Sequence, residues 1–213
     1  MATPPTRPAL RDRYDRRQQR VVLEAAAVFA ERGYDQTSIQ DLADAIGLAA
    51  GGLYHYIGSK ERLLISICDQ LMEPLLAAAR DLVAAPAPPV EQLRALVRLW
   101  VGHVVEHRDH MLVFQQERHA IERGDQWRGV RGSRKRFERL VEDALAGVED
   151  SGEAAFADRR LALSALLGMV NTPRSGIGRA GGSRRSRSPT GTWICSSAAV
   201  DAARKVCDLP TIR

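Results

Sequence analysis

Apolar positions along this chain recur with a helical period. From Arg16 onward, Val21, Val22, Ala25, Val28 and Phe29 mark one helix face, and Gly33 ends that helix as a C-cap. Thr37 or Ser38 can cap a second helix with Asp41 in its first turn. Ile39, Leu42, Ala43 and Ile46 form its buried face, and Gly47 closes it. The stretch GLAAGGLYHYI, residues 47–57, is expected to form a third, very short helix. Ser59 caps a fourth, SKERLLISICDQLMEPLLAAARDLVAA, with a kink expected near Pro74. APAPPV at 85–90 is a break, after which VEQLRALVRLWVGHVVEH, HMLVFQQERHAIERG, SRKRFERLVEDALAGVED and FADRRLALSALLGMV read as further helices, ending at Val170. No stretch alternates as a strand and none repeats. The pattern predicts an all-α fold, with three short helices followed by about five longer ones.

Composition adds limits. The 213 residues, 45% hydrophobic and 27% charged, describe a soluble globular chain with room for a small domain joined to a larger one. No apolar run approaches the roughly 18 residues of a membrane span. The N-terminal stretch lacks the apolar core of a secretory signal. Cys68, Cys195 and Cys207 are too few and too scattered for a disulfide framework or a zinc site, so a cytoplasmic location is expected. The net charge of +5 is not spread evenly. Residues 171–213 hold eight Lys/Arg and two Asp/Glu, so the rest of the chain carries −1, and the basic balance by itself does not argue for nucleic acid.

The third helix poses the functional question. Two adjacent glycines weaken a helix by up to about 1 kcal/mol each relative to alanine. A helix that must enter a groove roughly 12 Å wide gains from that loss, because small side chains let its backbone approach base edges. Tyr54 and His55, a turn later, can donate to phosphates. Lys60 adds charge at the start of the next helix, whose dipole also favours an anion. Leu42, Ile46, Leu53 and Tyr56 are expected to hold the second and third helices together as a helix-turn-helix.

TSIQDLADAIGLAAGGLYHYIGSKERLL, preceded by AAAVFAERGYDQ, resembles the DNA-binding signature of the TetR family of transcriptional regulators. The resemblance covers about the first 65 residues, and LYHY followed by SKE is its most specific part. It implies a homodimer that binds a palindromic double-stranded DNA operator, most often as a repressor, and leaves it when a small-molecule effector binds. It implies phosphate contacts from Thr37, Tyr54, His55 and Lys60 and base-facing positions at Ala50 and Gly52; Ser38, Ala49 and Gly51 complete the expected DNA-binding set. The chain departs from the family at Ala49, where a hydroxyl residue is usual, and at Ile57, where an aromatic is usual. Few side chains are left to read bases, so DNA shape and the arginine-rich N-terminal arm are expected to contribute. The expected plan is a mobile basic arm over 1–15, a helix-turn-helix domain over 16–62, a helical ligand-binding and dimerisation domain over 63–170, and an atypical basic tail over 171–213.

In the second domain, Met72, Trp100, Met111 and Phe114 could line an apolar pocket, with Gln115, Gln116, Glu117 and Arg118 at a polar end. VFQQERHAIERG and the basic helix after it are similar to a TetR subgroup that controls lipid, fatty acid and steroid breakdown, some of whose members answer to acyl-CoA thioesters. Arg118, Arg123, Arg134, Lys135 and Arg136 could suit such an anion, and a solvated helix face explains them as well. His103 and His107 have the i, i+4 spacing of a metal-ligand pair, but the Glu-x-x-His spacing of di-iron bundles fails at Glu106 to Asp109 and no second such helix exists. No metal or other cofactor is expected. Nor is catalysis: phosphate loop, nucleophile elbow and paired carboxylates are all missing. The alternative reading is a helical small-molecule-binding protein, or a metal-dependent enzyme, with a non-functional DNA-binding head.

After Val170 the helical period is lost where the family needs one more long helix for its dimer interface. Codons permitted for Ser183 to Ser197, read two nucleotides later, spell SAEQIADGYLDLLL, which has a capping serine and apolar residues at helical spacing. The expectation is that the tail is written out of frame from near Pro173 or Arg174. As written, the chain would then carry half of its expected dimer interface.

Overall fold

The computed structural model describes residues 7–171, and all regular structure among them is helical. The helices are α1 (Pro8–Arg32), α2 (Ile39–Ile46), α3 (Ala50–Ile57), α4 (Lys60–Ala84), α5 (Pro89–Glu106), α6 (Arg108–Gln116), α7 (Arg118–Arg123), α8 (Arg128–Asp150) and α9 (Arg159–Asn171), with a 3₁₀ turn at Asp125–Trp127 before α8. The all-α expectation holds. The order of lengths differs from it, since α1 is as long as α4. The expected out-of-frame segment lies outside the described residues.

The start of α1 corrects the expected arm. Its helix begins at Pro8, where a fixed φ and a missing N–H cost nothing at the first helical position. Tyr14 and Gln18 continue the stripe of Val21, Val22, Ala25 and Phe29 toward the N-terminus, and both pack on α3. Residues 8–15 are therefore helix, ordered by contacts about forty residues away in sequence.

α2 begins with a capping box. Ser38 Oγ accepts from the Asp41 N–H, and Asp41 accepts from the Ser38 N–H. These bonds hold the Asp41 carboxyl below its ordinary pKa, the side-chain bond from Ser38 first. α2 closes at Gly47 in the left-handed conformation that favours glycine, φ 71°. Pro74 removes one donor from the α4 ladder without ending the helix, which runs on to Ala84.

Two apolar clusters form the interior. The first joins α1, α2, α3 and the start of α4, and it also takes in Val113, Ile121, Trp127 and Val130 from beyond the expected boundary at residue 62. The second joins the rest of α4 with α5, α8 and α9 around Leu71, Leu76, Trp100, Phe137, Val141 and Leu145. α4 contributes to both, and Phe114 packs against both. Among the described residues no helix is long and apolar enough to cross a membrane.

Candidate nucleic-acid interface

α3 is held from within by few residues. Leu53 and Ile57, one turn apart, are its buried side chains, and they pack with Leu42 and Ile46 of α2. Tyr56, expected in that seam, is half-buried against α1 instead, its ring 5.2 Å from that of Tyr14. The aliphatic Ile57 is the residue that fills the core.

The other face of α3 is open. Ala49, Gly51, Tyr54 and His55 are exposed, while Ala50 and Gly52 are half-buried. A Cβ added at Gly51 or Gly52 would meet nothing within 4 Å. Neither glycine has positive φ. Nothing among the described residues therefore requires glycine at either position.

Its amino end is also bare. Ala49 is the N-cap and supplies no side-chain bond, and the first intrahelical bond is Leu53 N–H to Ala49 O, 2.9 Å. The N–H groups of Ala50, Gly51 and Gly52 are thus the orphan donors of a helix start, with a positive dipole end behind them. At the other end, Tyr14 Oη donates to His55 O at 3.0 Å and Gln18 Nε2 donates to Tyr56 O at 2.9 Å. These two side chains of α1 satisfy two of the last carbonyls of α3 and fix its axis.

The flanking elements complete a polar edge. Ser59 caps α4 by accepting from the Arg62 N–H, 3.1 Å. Lys60, the first residue of α4, is half-buried and places Nζ 4.2 Å from the ring centre of Tyr34 in the α1–α2 turn, a cation–π contact. Burial, then Glu61, raises the Tyr34 hydroxyl above its ordinary pKa.

Two residues of the expected DNA-binding set spend their hydroxyls inside the chain. Thr37 is 1% exposed, and its Oγ1 donates to Gly33 O at 2.6 Å, closing the α1–α2 turn. Ser38 is exposed, but its hydroxyl proton goes to Asp41 Oδ2 at 2.6 Å, beside a carboxylate. Both serve the turn, and neither side chain offers a free donor to an anion.

A second site lies between α6, α8 and α9. Met111, Phe114, Gln115 and Arg118 line a cavity of about 460 Å³ together with Arg134, Glu138, Ser164, Leu167 and Asn171. Four of the six residues expected at a ligand site are thus brought together. Met72 and Trp100 are not among them; they are 5% and 1% exposed and belong to the second core cluster, Trp100 edge-on to Phe137. Glu117, expected at the polar end, turns toward Tyr34 and Lys60, and burial raises its carboxyl above the ordinary range.

Two buried polar atoms of lining residues have no hydrogen-bond partner among the described residues: Arg134 Nε, which lies 3.3 Å from Glu138 Oε1, and Asn171 Oδ1. Glu122 joins Arg118 Nε at 3.0 Å and Arg134 Nη1 at 3.5 Å, and the bond from Arg118 leads in holding its carboxyl low. Of the other expected basic residues, Arg136 turns away to Ser133 and Glu73, while Arg123 and Lys135 are exposed and do not line the cavity.

Three histidines meet where α5 and α6 join. His103 Nε2 donates to Leu71 O at 2.7 Å, His107 Nδ1 donates to His103 O at 3.1 Å, and His110 Nε2 lies 3.4 Å from Gln70 Oε1. The first two rings stack with centres 4.1 Å apart. Burial lowers His103 and brings His110 down to about 4. Among the described residues no group of three or more His, Cys, Asp or Glu side chains could hold a metal ion. The Cys68 thiol is buried and pushed well above its ordinary pKa, so it stays protonated.

Residues 22–67 match the model of "Bacterial regulatory proteins, tetR family", and residues 86–174 match that of "Tetracyclin repressor-like, C-terminal domain". The chain is 30% identical over 127 residues to the HTH-type transcriptional repressor KstR2 of Mycobacterium tuberculosis (strain CDC 1551 / Oshkosh), a match that covers 59% of this chain and 64%, just under two thirds, of that relative. The crystal structure of the TetR family transcriptional regulator PfmR from Thermus thermophilus is similar at 32% identity and a TM-score of 0.64, covering 71% of this chain and 81% of that one. The structure of AibR in complex with isovaleryl coenzyme A and operator DNA is similar at 25% identity and a TM-score of 0.69, covering 90% and 96%.

Proposed function

This chain belongs to the TetR family of bacterial regulatory proteins, and from that premise we propose that it is a ligand-responsive transcriptional repressor. It binds a palindromic operator as a homodimer, through α3 and the first turn of α4. The observation that carries this reading is the pair Gly51 and Gly52. They weaken a short helix, no internal contact or backbone angle requires them, and they stand on its open face beside Tyr54 and His55. Their use lies in an external surface that must come close to the backbone, and the orphan N–H groups of Ala50, Gly51 and Gly52 give that surface donors.

The homodimer places two copies of α3 over half-sites about 34–36 Å apart on one face of the duplex. α9 supports it, because Leu161 and Met169 stay 67% and 48% exposed on a face that a second copy would cover. The effector enters the cavity between α6, α8 and α9. About 460 Å³ suits a small apolar body, such as a short acyl chain, held by Met111, Phe114 and Leu167. Arg118, Arg134 and Gln115 would meet a polar or anionic end. An acyl-CoA thioester fits this division, with its nucleotide outside the cavity, and AibR, a protein of the same fold, has been crystallised with such a ligand.

Salt titration tests the reading. The affinity of the full chain for duplex DNA must fall steeply as salt rises. His55→Ala and Lys60→Ala must weaken binding by a similar factor on every sequence, because both are assigned to phosphates. A loss confined to one sequence would refute those roles. Binding that ignores salt would favour the alternative, a helical ligand-binding protein with an inert head.

A further inference from the structure

The first turns of α1 carry a concentration of charge that the whole-chain balance hides. Residues 7–20 contain six arginines and two aspartates. Arg13, Arg16, Arg17 and Arg20 follow at i, i+3, i+4 and i+7, so they share one face of α1. With Leu10, Tyr14 and Tyr56 they line an open cleft of about 570 Å³. Among the described residues none of the four pairs with a carboxylate; the ion pair in this stretch is Arg11 with Asp15, at 4.0 Å and well exposed.

This cleft is rigidly tied to α3. Tyr56 of α3 forms one wall, and Tyr14 at the cleft's edge is the residue that holds the His55 carbonyl. Tyr14 also sets its ring edge-on to His55, with centres 5.4 Å apart. All six α1 residues involved precede residue 22, where the match to the family's DNA-binding model begins.

Resting on the DNA-binding reading above, we infer that the cleft is a second phosphate site, which grips the operator backbone next to the groove that α3 enters. Charge identifies the occupant: four unpaired guanidinium groups in a row fit a polyanion better than any neutral partner. Length agrees. Arg13 to Arg20 spans about 10 Å at the α-helical rise, and a DNA strand advances about 3.4 Å per phosphate, so about three phosphates face the row. Shape decides the mode of contact. An α-helix with its side chains is roughly 10–12 Å across and the minor groove roughly 6 Å, so α1 lies on the backbone and reads no base there. The contribution is to affinity and orientation, where a flexible arm in the minor groove would have added sequence preference.

The test is the salt slope of binding to a mixed-sequence DNA duplex, measured by fluorescence anisotropy on the full chain. R13Q/R16Q/R17Q/R20Q keeps helix-forming residues on a largely exposed face. Its log–log slope must be shallower than that of the unmodified chain by about 0.9 for each phosphate released, up to about 2.7 per protomer. The basic tail is common to both proteins and cancels in the difference. Lysine at all four positions keeps the charge and must keep the slope. R80Q/R98Q/R108Q/R139Q removes the same charge from exposed positions elsewhere and must leave the slope alone. A slope for the α1 variant equal to that of this control overturns the site, as does a loss seen on a single sequence. The two readings fail separately. If the unmodified chain shows no salt-dependent binding, the DNA-binding reading itself falls; if it binds steeply and only the arginine variant is without effect, the cleft assignment alone falls.

Discussion

Replacing Gly51 and Gly52 with alanine should make this protein more stable and worse at binding DNA. The stability half follows from geometry. Both residues are helical, neither has positive φ, and an added Cβ meets nothing within 4 Å at either site. No overpacking or strain therefore opposes the gain from a less flexible unfolded chain. Glycine costs about 0.5–1 kcal/mol relative to alanine within a helix, and the lower figure applies in a first turn, so the pair should contribute about 1 kcal/mol. For a chain of this size that raises the melting temperature by about 2–4 °C. The binding half has the opposite sign. Two methyl groups on the open face push the α3 backbone away from the groove and crowd the N–H groups of Ala50, Gly51 and Gly52. Thermal melting and anisotropy on the same double variant read both halves. Melting that is unchanged or lower would show an internal role for the glycines that the structure does not contain. Higher melting with undiminished DNA affinity would remove the functional reason for them, and with it the observation on which the regulator reading rests.

Two further outcomes follow from the same structure. Ala49→Ser supplies the missing cap at the start of α3 and should stabilise the chain by about 1 kcal/mol; an unchanged melting curve would mean that those amides gain nothing from a cap. His110, neutral in the fold down to about pH 4, ordinarily titrates near 6.5, so the unfolded chain takes up the proton first: stability is full above about pH 6.5 and falls as acid is added toward 4. His110→Gln should flatten the melting profile between pH 6.5 and 5, and an equally steep profile in the variant would refute the assignment.

What could be read from the chain was decided by range. The capping box of α2, its buried face at Leu42, Ala43 and Ile46 and the left-handed stop at Gly47 are local chemistry, so residue types a few positions apart determine them. Which of Thr37 and Ser38 served as the cap was a one-residue question. The buried bond from Thr37 to the Gly33 carbonyl settles it, because that bond commits Thr37 to the preceding turn. The start of α1 was hidden for a different reason. Its proline and arginine content resembles a disordered arm, and what orders it are bonds from Tyr14 and Gln18 to carbonyls 41 and 38 residues away. The cavity was half legible. Gln115 and Arg118, polar residues just after the apolar run MLVF at 111–114, marked its lining, whereas Met72 and Trp100 show that apolar character alone does not separate a wall from a core.

The same long-range contacts alter the route by which an occupied cavity could reach α3. α4 offers one link, since it leaves the DNA-binding unit and enters the second core. The structure also offers α6, which packs against α1. α6 is bounded by two residues outside regular helical geometry, His107 with φ −106° and ψ 38° and Glu117 with φ −92° and ψ 13°. Between these breaks it is a nine-residue rod. On that rod Met111 and Phe114 line the cavity, Val113 is fully buried in the first core, and Phe114 touches both cores. A molecule that displaces Met111 and Phe114 therefore cannot leave the packing under α1 as it was, because Val113 moves with them and close-packed cores have no slack to absorb the shift. α1 in turn holds the end of α3 through Tyr14 and Gln18. Contiguity alone does not make a switch, which needs an element with two arrangements that both sites bias. A short helix with a break at each end, seated between cavity and core, can shift as a unit more readily than α4, a single 25-residue helix packed into both cores.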